Sequence, residues 1–135
     1  ACVEHLSGQL RDHVAPHLAG GGDAVVRERA ALSAFLAFVR ENQLIYRIID
    51  EAEFVAPDSH RSHYETTVER VRRRLVEGAE RGDLRSDIGE VEAWAIAGMN
   101  VFLGLRYGVW GGTQDGAEVV ARANHLMAHG LARRD

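Results

Sequence analysis

The sequence predicts an all-α fold, arranged as an antiparallel bundle of about six helices. Apolar residues recur at helical spacing throughout the 135 residues, and no alternating run bounded by turn residues predicts a strand. Glycine, proline and capping residues divide this pattern into six segments. We expect a single domain over residues 1–135, because this length can bury a core without disulfides or metals.

The first two helices are separated by the clearest loop in the chain, the glycine run at residues 20–22. Pro16 and this run are expected to end the first helix. Asp23 is a suitable N-cap residue for the second helix. The apolar positions are Val3, Leu6, Leu10 and Val14 in the first helix, and Val25, Leu32, Phe35, Leu36 and Val39 in the second.

Asn42 and Pro57 delimit the third helix. Asn42 marks a break after the second helix, and the dense apolar sequence beyond it predicts a short helix over Gln43–Val55. Pro57 suits the first turn of a long fourth helix that ends near Gly82. The apolar stripe of the fourth helix is Tyr64, Val68, Val71, Leu75 and Ala79.

The fifth and sixth helices follow in close succession. Asp87 and Glu90 have the spacing of a capping box for the fifth helix, and Gly111 with Gly112 ends it. The sixth helix is predicted over residues 115–133. Its apolar positions are Val119, Ala123, Leu126 and Leu131.

The fifth helix is apolar on nearly every side, so it must be buried on more than one face. One face carries small residues, which favours close contact with a second helix; these are Ala97, Val101, Gly104 and Gly108. The other face carries large side chains, some of which end in polar groups, and this favours contact with a cavity or a core of mixed polarity. Its residues are Met99, Asn100, Leu103, Arg106 and Tyr107. Burial on two sides predicts self-association and a ligand pocket, which is typical of a binding module.

Composition limits the possible partners and surroundings. The net charge of −4 argues against nucleic-acid binding by this chain itself, because phosphate binding needs a concentrated positive field. Cys2 is the single cysteine and cannot form an internal disulfide, and no apolar run has the length of a membrane span. We therefore expect a cytoplasmic location without membrane contact. The chain lacks an initiating methionine and starts inside a helical pattern, so we expect it to be a piece of a longer protein.

Polar side chains within apolar helices are the first candidates for a site. Arg47 and Glu51 lie four residues apart, and they either form a surface ion pair or face a pocket. Asn100, Arg106 and Tyr107 interrupt the apolar fifth helix, and each needs a polar partner when buried. That partner is either a structural hydrogen-bond network or a ligand.

Three pairs of histidines have a spacing that occurs in metal sites on helices. His13 with His17, His125 with His129, and His60 with His63 are three or four residues apart and could share helix faces, but a complete metal site needs further ligands. We predict no metal and no cofactor.

Catalytic patterns are scarce. The sequence has no glycine-rich phosphate loop after a strand and no nucleophile elbow, so we predict that the chain is not an enzyme. The basic run of Arg70, Arg72, Arg73 and Arg74 alternates with glutamates, which indicates a solvated, ion-paired helix face.

Five blocks of sequence stand out by order and spacing: residues 41–42 (EN), 46–48 (YRI), 51–57 (EAEFVAP), 82–85 (GDLR) and 102–107 (FLGLRY). Together they resemble the C-terminal effector-binding and dimerisation domain of TetR-family transcriptional regulators, over nearly the whole chain. The resemblance implies an Ω-shaped homodimer in which the last two helices of each subunit form a four-helix interface. Its residues would be Ala97, Val101, Gly104, Gly108, Val119, Ala123 and Leu126.

The resemblance also implies a transcriptional repressor whose ligand controls DNA binding. DNA would be bound only through an N-terminal helix-turn-helix domain that is absent from this chain. The ligand would move the two helix-turn-helix domains of the dimer apart and so release the operator. We expect a small hydrophobic effector such as an acyl-CoA, a fatty acid or an aromatic compound. Glu51 is the expected polar anchor, and the lining is Phe54, Tyr64, Met99, Asn100, Leu103, Arg106 and Tyr107.

Two other classes of function stay open at this point. One is a helical protein-interaction module without a small ligand, and the other is a metal-dependent or other helical enzyme.

Overall fold

A computed structural model describes residues 2–18, 22–112 and 114–133 of the chain. Within these ranges the chain forms six α-helices and no strand, so the prediction of an all-α chain with six helices is confirmed. The helices are α1 (Cys2–Leu18), α2 (Ala24–Glu41), α3 (Gln43–Val55), α4 (Pro57–Glu80), α5 (Glu90–Gly104) and α6 (Gly116–His129). No helix in these ranges combines the length and the hydropathy that crossing a membrane requires.

Helix α2 is the centre of the fold, since it contacts each of the other five helices. On one side Leu32 and Leu36 of α2 form a buried cluster with Val119 and Val120 of α6. Helices α4 and α5 form a second cluster around Val68, Val71, Leu75, Ala93 and Ala97. Burial of these apolar side chains is the main force that holds the helices together.

The ends of the first four helices follow local sequence signals. Asp23 caps α2 as predicted, because its Oδ1 accepts a hydrogen bond of 2.9 Å from the Val26 N–H. Pro57 occupies the first turn of α4, also as predicted. Pro16 lies inside α1, which continues to Leu18, so the expectation that this proline helps to end the helix is wrong. Residues 20 and 21 of the predicted glycine loop lie outside the described residues.

Helix α5 begins differently from the prediction. Its N-cap residue is Gly89, and the Glu92 carboxylate accepts a hydrogen bond of 2.8 Å from the Gly89 N–H. Asp87 forms an ion pair with Arg85 at 3.4 Å instead. The predicted capping box of Asp87 and Glu90 is therefore wrong, and the observed pair lies two residues later in the chain.

The end of α5 widens into a π-helical segment over Leu105–Val109. Side chains of neighbouring elements bind carbonyl groups in this segment: Arg40 Nε donates to the Tyr107 oxygen at 3.0 Å and Gln43 Nε2 to the Gly108 oxygen at 2.9 Å. The chain then turns at Gly111, whose φ of +79° favours glycine.

Helix α6 is shorter than predicted. It ends at His129, and Gly130 follows with a φ of +74°, as glycine does after many helices. Leu131 lies beyond the helix and is 90% exposed, so its assignment to the apolar stripe is wrong.

The small-residue face of α5 packs within the subunit. A Cβ atom on Gly104 would lie 2.7 Å from Phe35 Cε2, and one on Gly108 would lie 2.5 Å from Val39 Cγ1. Both contacts are with α2 of the same chain, so α2 is the close helix partner of these glycines within the subunit. Their assignment to an intersubunit interface stays a prediction.

The remaining residues of the predicted interface are also mostly enclosed. Ala97 is buried against α4, whereas Val119 and Ala123 are buried against α2. Val101 is half-buried, and Leu126 is 38% exposed. Only Leu126 keeps a large apolar surface that a second subunit could cover.

A different face of α5 is apolar and exposed. Val91 is 76% exposed, Trp94 45% and Phe102 70%, and a Cβ on Gly98 would meet no atom within 4 Å. These four residues lie on one side of the helix, because they fall within about 80° of each other at 100° per residue. We call Val91, Trp94, Gly98 and Phe102 the outer face of α5.

Candidate functional site

A cavity of about 160 Å³ that is partly open to solvent lies among the first five helices. Most of its wall is apolar, and aromatic rings from three helices take part in it, namely Phe35, Tyr46 and Tyr64. The other lining residues are Ser7, Leu10, Arg11, Val14, Ala15, Ala31, Ile49, His63, Thr67, Arg70, Val71, Arg74, Ala97, Asn100 and Val101. An apolar cavity with a few converging polar groups is the usual form of a small-molecule site.

Helix α1 is joined to α4 through the cavity wall. His63 Nδ1 lies 2.6 Å from Ser7 Oγ, which is a hydrogen-bond distance, and the His63 side chain is only 8% exposed. Burial is the main cause that lowers the pKa of His63 to about 4, and electrostatic interactions with His60 and Arg70 contribute to this lowering. His63 is therefore neutral at neutral pH.

Two tyrosines present hydroxyl groups near the cavity. The Tyr46 hydroxyl donates to the Val101 carbonyl at 3.1 Å, which ties α3 to α5. Burial raises the pKa of Tyr64 to about 12, so its hydroxyl stays protonated. The Tyr64 ring packs edge-on between His60 and His63, at centroid distances of 4.8 and 4.9 Å.

Three arginines line the cavity, and their pairing differs. Arg74 donates to the Glu28 carboxylate at 2.8 and 3.0 Å, and Arg11 lies 3.6 Å from Asp12 in an exposed pair. Arg70 makes no hydrogen bond or ion pair with any residue of the described ranges. The cavity thus contains one guanidinium group that has no counter-ion there.

The predicted lining residues separate into three groups. Tyr64 and Asn100 line the cavity. Met99, Leu103 and Tyr107 line a surface groove of about 560 Å³ between α5 and α6, together with charged residues such as Glu118 and Arg122.

The other three predicted residues line neither space. Glu51 and Phe54 are exposed on α3, with Phe54 at 84%, because they lie on the face of this helix that points away from α4 and α5. Arg106 is exposed, donates to the Gly111 carbonyl at 3.2 Å and lies over the Tyr107 ring at 4.8 Å. The structure does not bring these three residues to the cavity or the groove, and their role in ligand binding, including Glu51 as the polar anchor, stays a prediction.

The other polar candidates have mixed outcomes. Arg47 and Glu51 are both exposed and form no ion pair with each other. Asn100 Oδ1 is buried and has no hydrogen-bond partner among the described residues. Its predicted hydrogen-bond network is therefore incomplete in the described ranges.

The histidine pairs do not converge with other metal-binding groups. The described residues contain no cluster of three or more histidine, cysteine or carboxylate side chains that could hold a metal ion. The side chains of Cys2 and His17 lie outside the described part of the chain.

The residues that sequence reasoning missed lie on α1 and α4. The sequence predicts one solvated face for the four arginines of α4, which holds for Arg72, whose guanidinium is 2.7 Å from Glu69. Arg70 and Arg74 instead line the cavity with His63 and Thr67. A signal was present, because at 100° per residue these four side chains share one sector of α4 beside the apolar stripe.

Comparison with known proteins gave no assignment. No protein-family model matches the chain, and no curated protein matches it significantly. The function must therefore be argued from the cavity and the surface.

Proposed function

We propose that this chain is the effector-sensing and dimerisation domain of a TetR-like transcriptional repressor. In this proposal a small hydrophobic ligand binds in the cavity, and DNA is bound by a helix-turn-helix domain that precedes α1 in the intact protein. The motifs in the sequence suggest the family, and the observation that carries the proposal is the position of the cavity.

The cavity is placed so that an occupant would contact α1 together with the rest of the bundle. Helix α1 contributes Ser7, Leu10, Arg11, Val14 and Ala15 to the lining, and α4 contributes six more residues. A ligand can shift a conformational equilibrium only through contacts that differ between the two states. Contacts that span α1 and α4 would let occupancy set the angle of α1, the helix nearest to the proposed DNA-binding domain.

The exposed outer face of α5 supports the dimer. Soluble monomers seldom expose contiguous patches of large apolar side chains, and such patches often mark protein–protein contacts. We place the dimer interface on this face and on Leu126 of α6, which keeps the last two helices as the interface but replaces the residues that the sequence predicted.

The two other classes of function have less support. An interaction module without a ligand would use the outer face of α5 but gives no role to the polar groups that converge on the cavity. A metal-dependent enzyme needs a ligand cluster, and the described residues contain none.

Native mass spectrometry of the purified chain tests the proposal. We expect a dimer that carries a bound small molecule. Val101→Phe places a ring in the cavity wall and should abolish the bound mass, whereas the matched variant Val55→Phe, at an exposed position of α3 outside the cavity, should keep it. A monomer without any bound molecule would contradict the proposal, and a dimer whose bound mass survives Val101→Phe would place the ligand elsewhere.

A further inference from the structure

Three features of the cavity limit what it can hold: its size, its aromatic wall and Arg70, which has no ion-pair partner among the described residues. The chemical class of ligand inferred here rests on the proposed function, because it concerns the same cavity.

The size of the cavity matches one ring. A cavity of about 150 Å³ in another protein accommodates benzene, and the cavity here measures about 160 Å³. A coenzyme A ester is several times larger than this space, and a long acyl chain would extend beyond it through the open side. The size therefore favours the aromatic compound among the three ligand classes that the sequence left open.

The wall of the cavity also suits an aromatic ring. Phe35 and Tyr46 are arranged edge to face, with ring centroids 6.0 Å apart, and Tyr64 lies across the cavity on α4. Aromatic rings prefer such edge-to-face and offset contacts with one another. A planar ring bound here could make these contacts with each of the three side chains.

Arg70 supplies the charge that the ligand must complement. Arg74 is already paired with Glu28, so its charge is compensated, while Arg70 has no carboxylate partner within the described residues. Partial burial lowers the pKa of Arg70, and repulsion from Arg11, Arg73 and Arg74 lowers it further. An anion would relieve this repulsion, and a guanidinium group binds a carboxylate through two parallel hydrogen bonds.

We propose that the ligand is a single-ring aromatic carboxylate, whose ring lies among Phe35, Tyr46 and Tyr64 and whose carboxylate binds Arg70. The protonated hydroxyl of Tyr64 is a further donor on the same helix for that carboxylate. Neutral His63 adds no charge of its own, so the selectivity for an anion comes from the arginines.

Isothermal titration calorimetry with benzoate and benzamide tests the assignment, because the two compounds share a ring and differ in charge. Benzoate should bind at least about tenfold more tightly than benzamide, as expected for a charge-assisted pair. Arg70→Met should remove this preference, and Arg70→Lys should restore part of it. Arg73→Met, an exposed neighbour on the same helix, should leave both affinities unchanged. Melting temperatures of the three variants establish that each is folded.

Other results would overturn the inference in distinguishable ways. Equal binding of benzamide and benzoate, unaffected by Arg70→Met, would show a cavity that binds rings without recognising charge, and the proposed function would stand. Tighter binding of laurate than of benzoate would overturn the assignment of a single ring. If no ring compound binds but native mass spectrometry detects another bound molecule, the assignment of an aromatic carboxylate fails and the proposed function stands. If no ring compound binds and no bound molecule is detected, the proposed function fails as well.

Discussion

Arg74 on α4 donates two hydrogen bonds, of 2.8 and 3.0 Å, to the carboxylate of Glu28 on α2, and Glu28 is only 3% exposed. Removing one partner of a buried ion pair leaves the other charge uncompensated, which is far more costly than losing a surface pair. This pair joins the central helix to α4, which supplies more residues to the cavity wall than any other helix.

The Arg74→Met variant should lose about 3–5 kcal/mol of its free energy of unfolding. Urea denaturation measures this loss. Arg72→Met is the matched control, since its pair with Glu69 is on the surface and should contribute less than about 1 kcal/mol. The double variant Glu28→Met with Arg74→Met should recover most of the stability, and failure to recover would show that Arg74 acts by packing alone.

His63 should make the stability depend on pH. Its pKa is about 4 in the folded chain and near the ordinary 6.5 in the unfolded chain, so the unfolded state binds more protons as the pH falls. The stabilisation is complete above pH 6.5 and is lost as the pH falls towards 4, by on the order of 3 kcal/mol. Denaturation at several pH values measures the slope.

His63→Gln should flatten this part of the pH profile, because glutamine can keep a hydrogen bond to Ser7 without titrating. His125→Gln, on the exposed side of α6, should leave the slope as it is in the unmodified chain. An equal slope in the His63 variant would assign the pH dependence to other groups.

Replacing Gly98 of α5 and Gly108 of the π-helical segment by alanine should change the stability of the chain in different ways. A methyl group on Gly108 would lie 2.5 Å from Val39 Cγ1, and Val39 is fully buried, so Gly108→Ala should destabilise the chain by about 1–3 kcal/mol. Gly98 lies in a helix with open space around it, so Gly98→Ala should be neutral or stabilise by up to about 1 kcal/mol. Thermal unfolding compares the two variants; a harmless Gly108→Ala would contradict the close packing of α2 on the π-helical segment.

The outer face of α5 should control the oligomeric state. Phe102→Glu places a charge on this face and should convert the proposed dimer to a monomer. Phe54→Glu makes the same change at an exposed phenylalanine on α3, away from that face, and should leave a dimer. Sedimentation velocity gives the mass of each; dissociation by both variants, or by neither, would place the interface elsewhere.

The sequence predicted those parts of the fold that depend on local signals. Asn42 and Pro57 delimit α3 with the bounds that were expected, and Asp23 caps α2. The π-helical segment could not be predicted, because its carbonyl groups are bound by Arg40 and Gln43, which lie more than sixty residues earlier in the chain.

The site was harder to predict than the fold, because helical spacing does not tell which partner covers a face. Gly104 and Gly108 were correctly identified as a close-packing face, but the partner helix proved to be α2 of the same chain. Phe54 and Glu51 belong to a conspicuous motif and yet lie outside the cavity, whereas Ser7 lies in a sequence with no distinctive pattern and Arg70 lies in a basic run that is typical of a solvated face.

Hydrogen–deuterium exchange at a saturating benzoate concentration tests most directly whether a ligand in the cavity acts on α1. We predict slower exchange in peptides that cover residues 6–15 of α1 and residues 63–74 of α4, which line the cavity together, and unchanged exchange in α6. Protection confined to α5 and α6 would place the ligand in the surface groove instead. Binding that leaves α1 unprotected would contradict the account, because the sensing role requires the ligand to act on that helix.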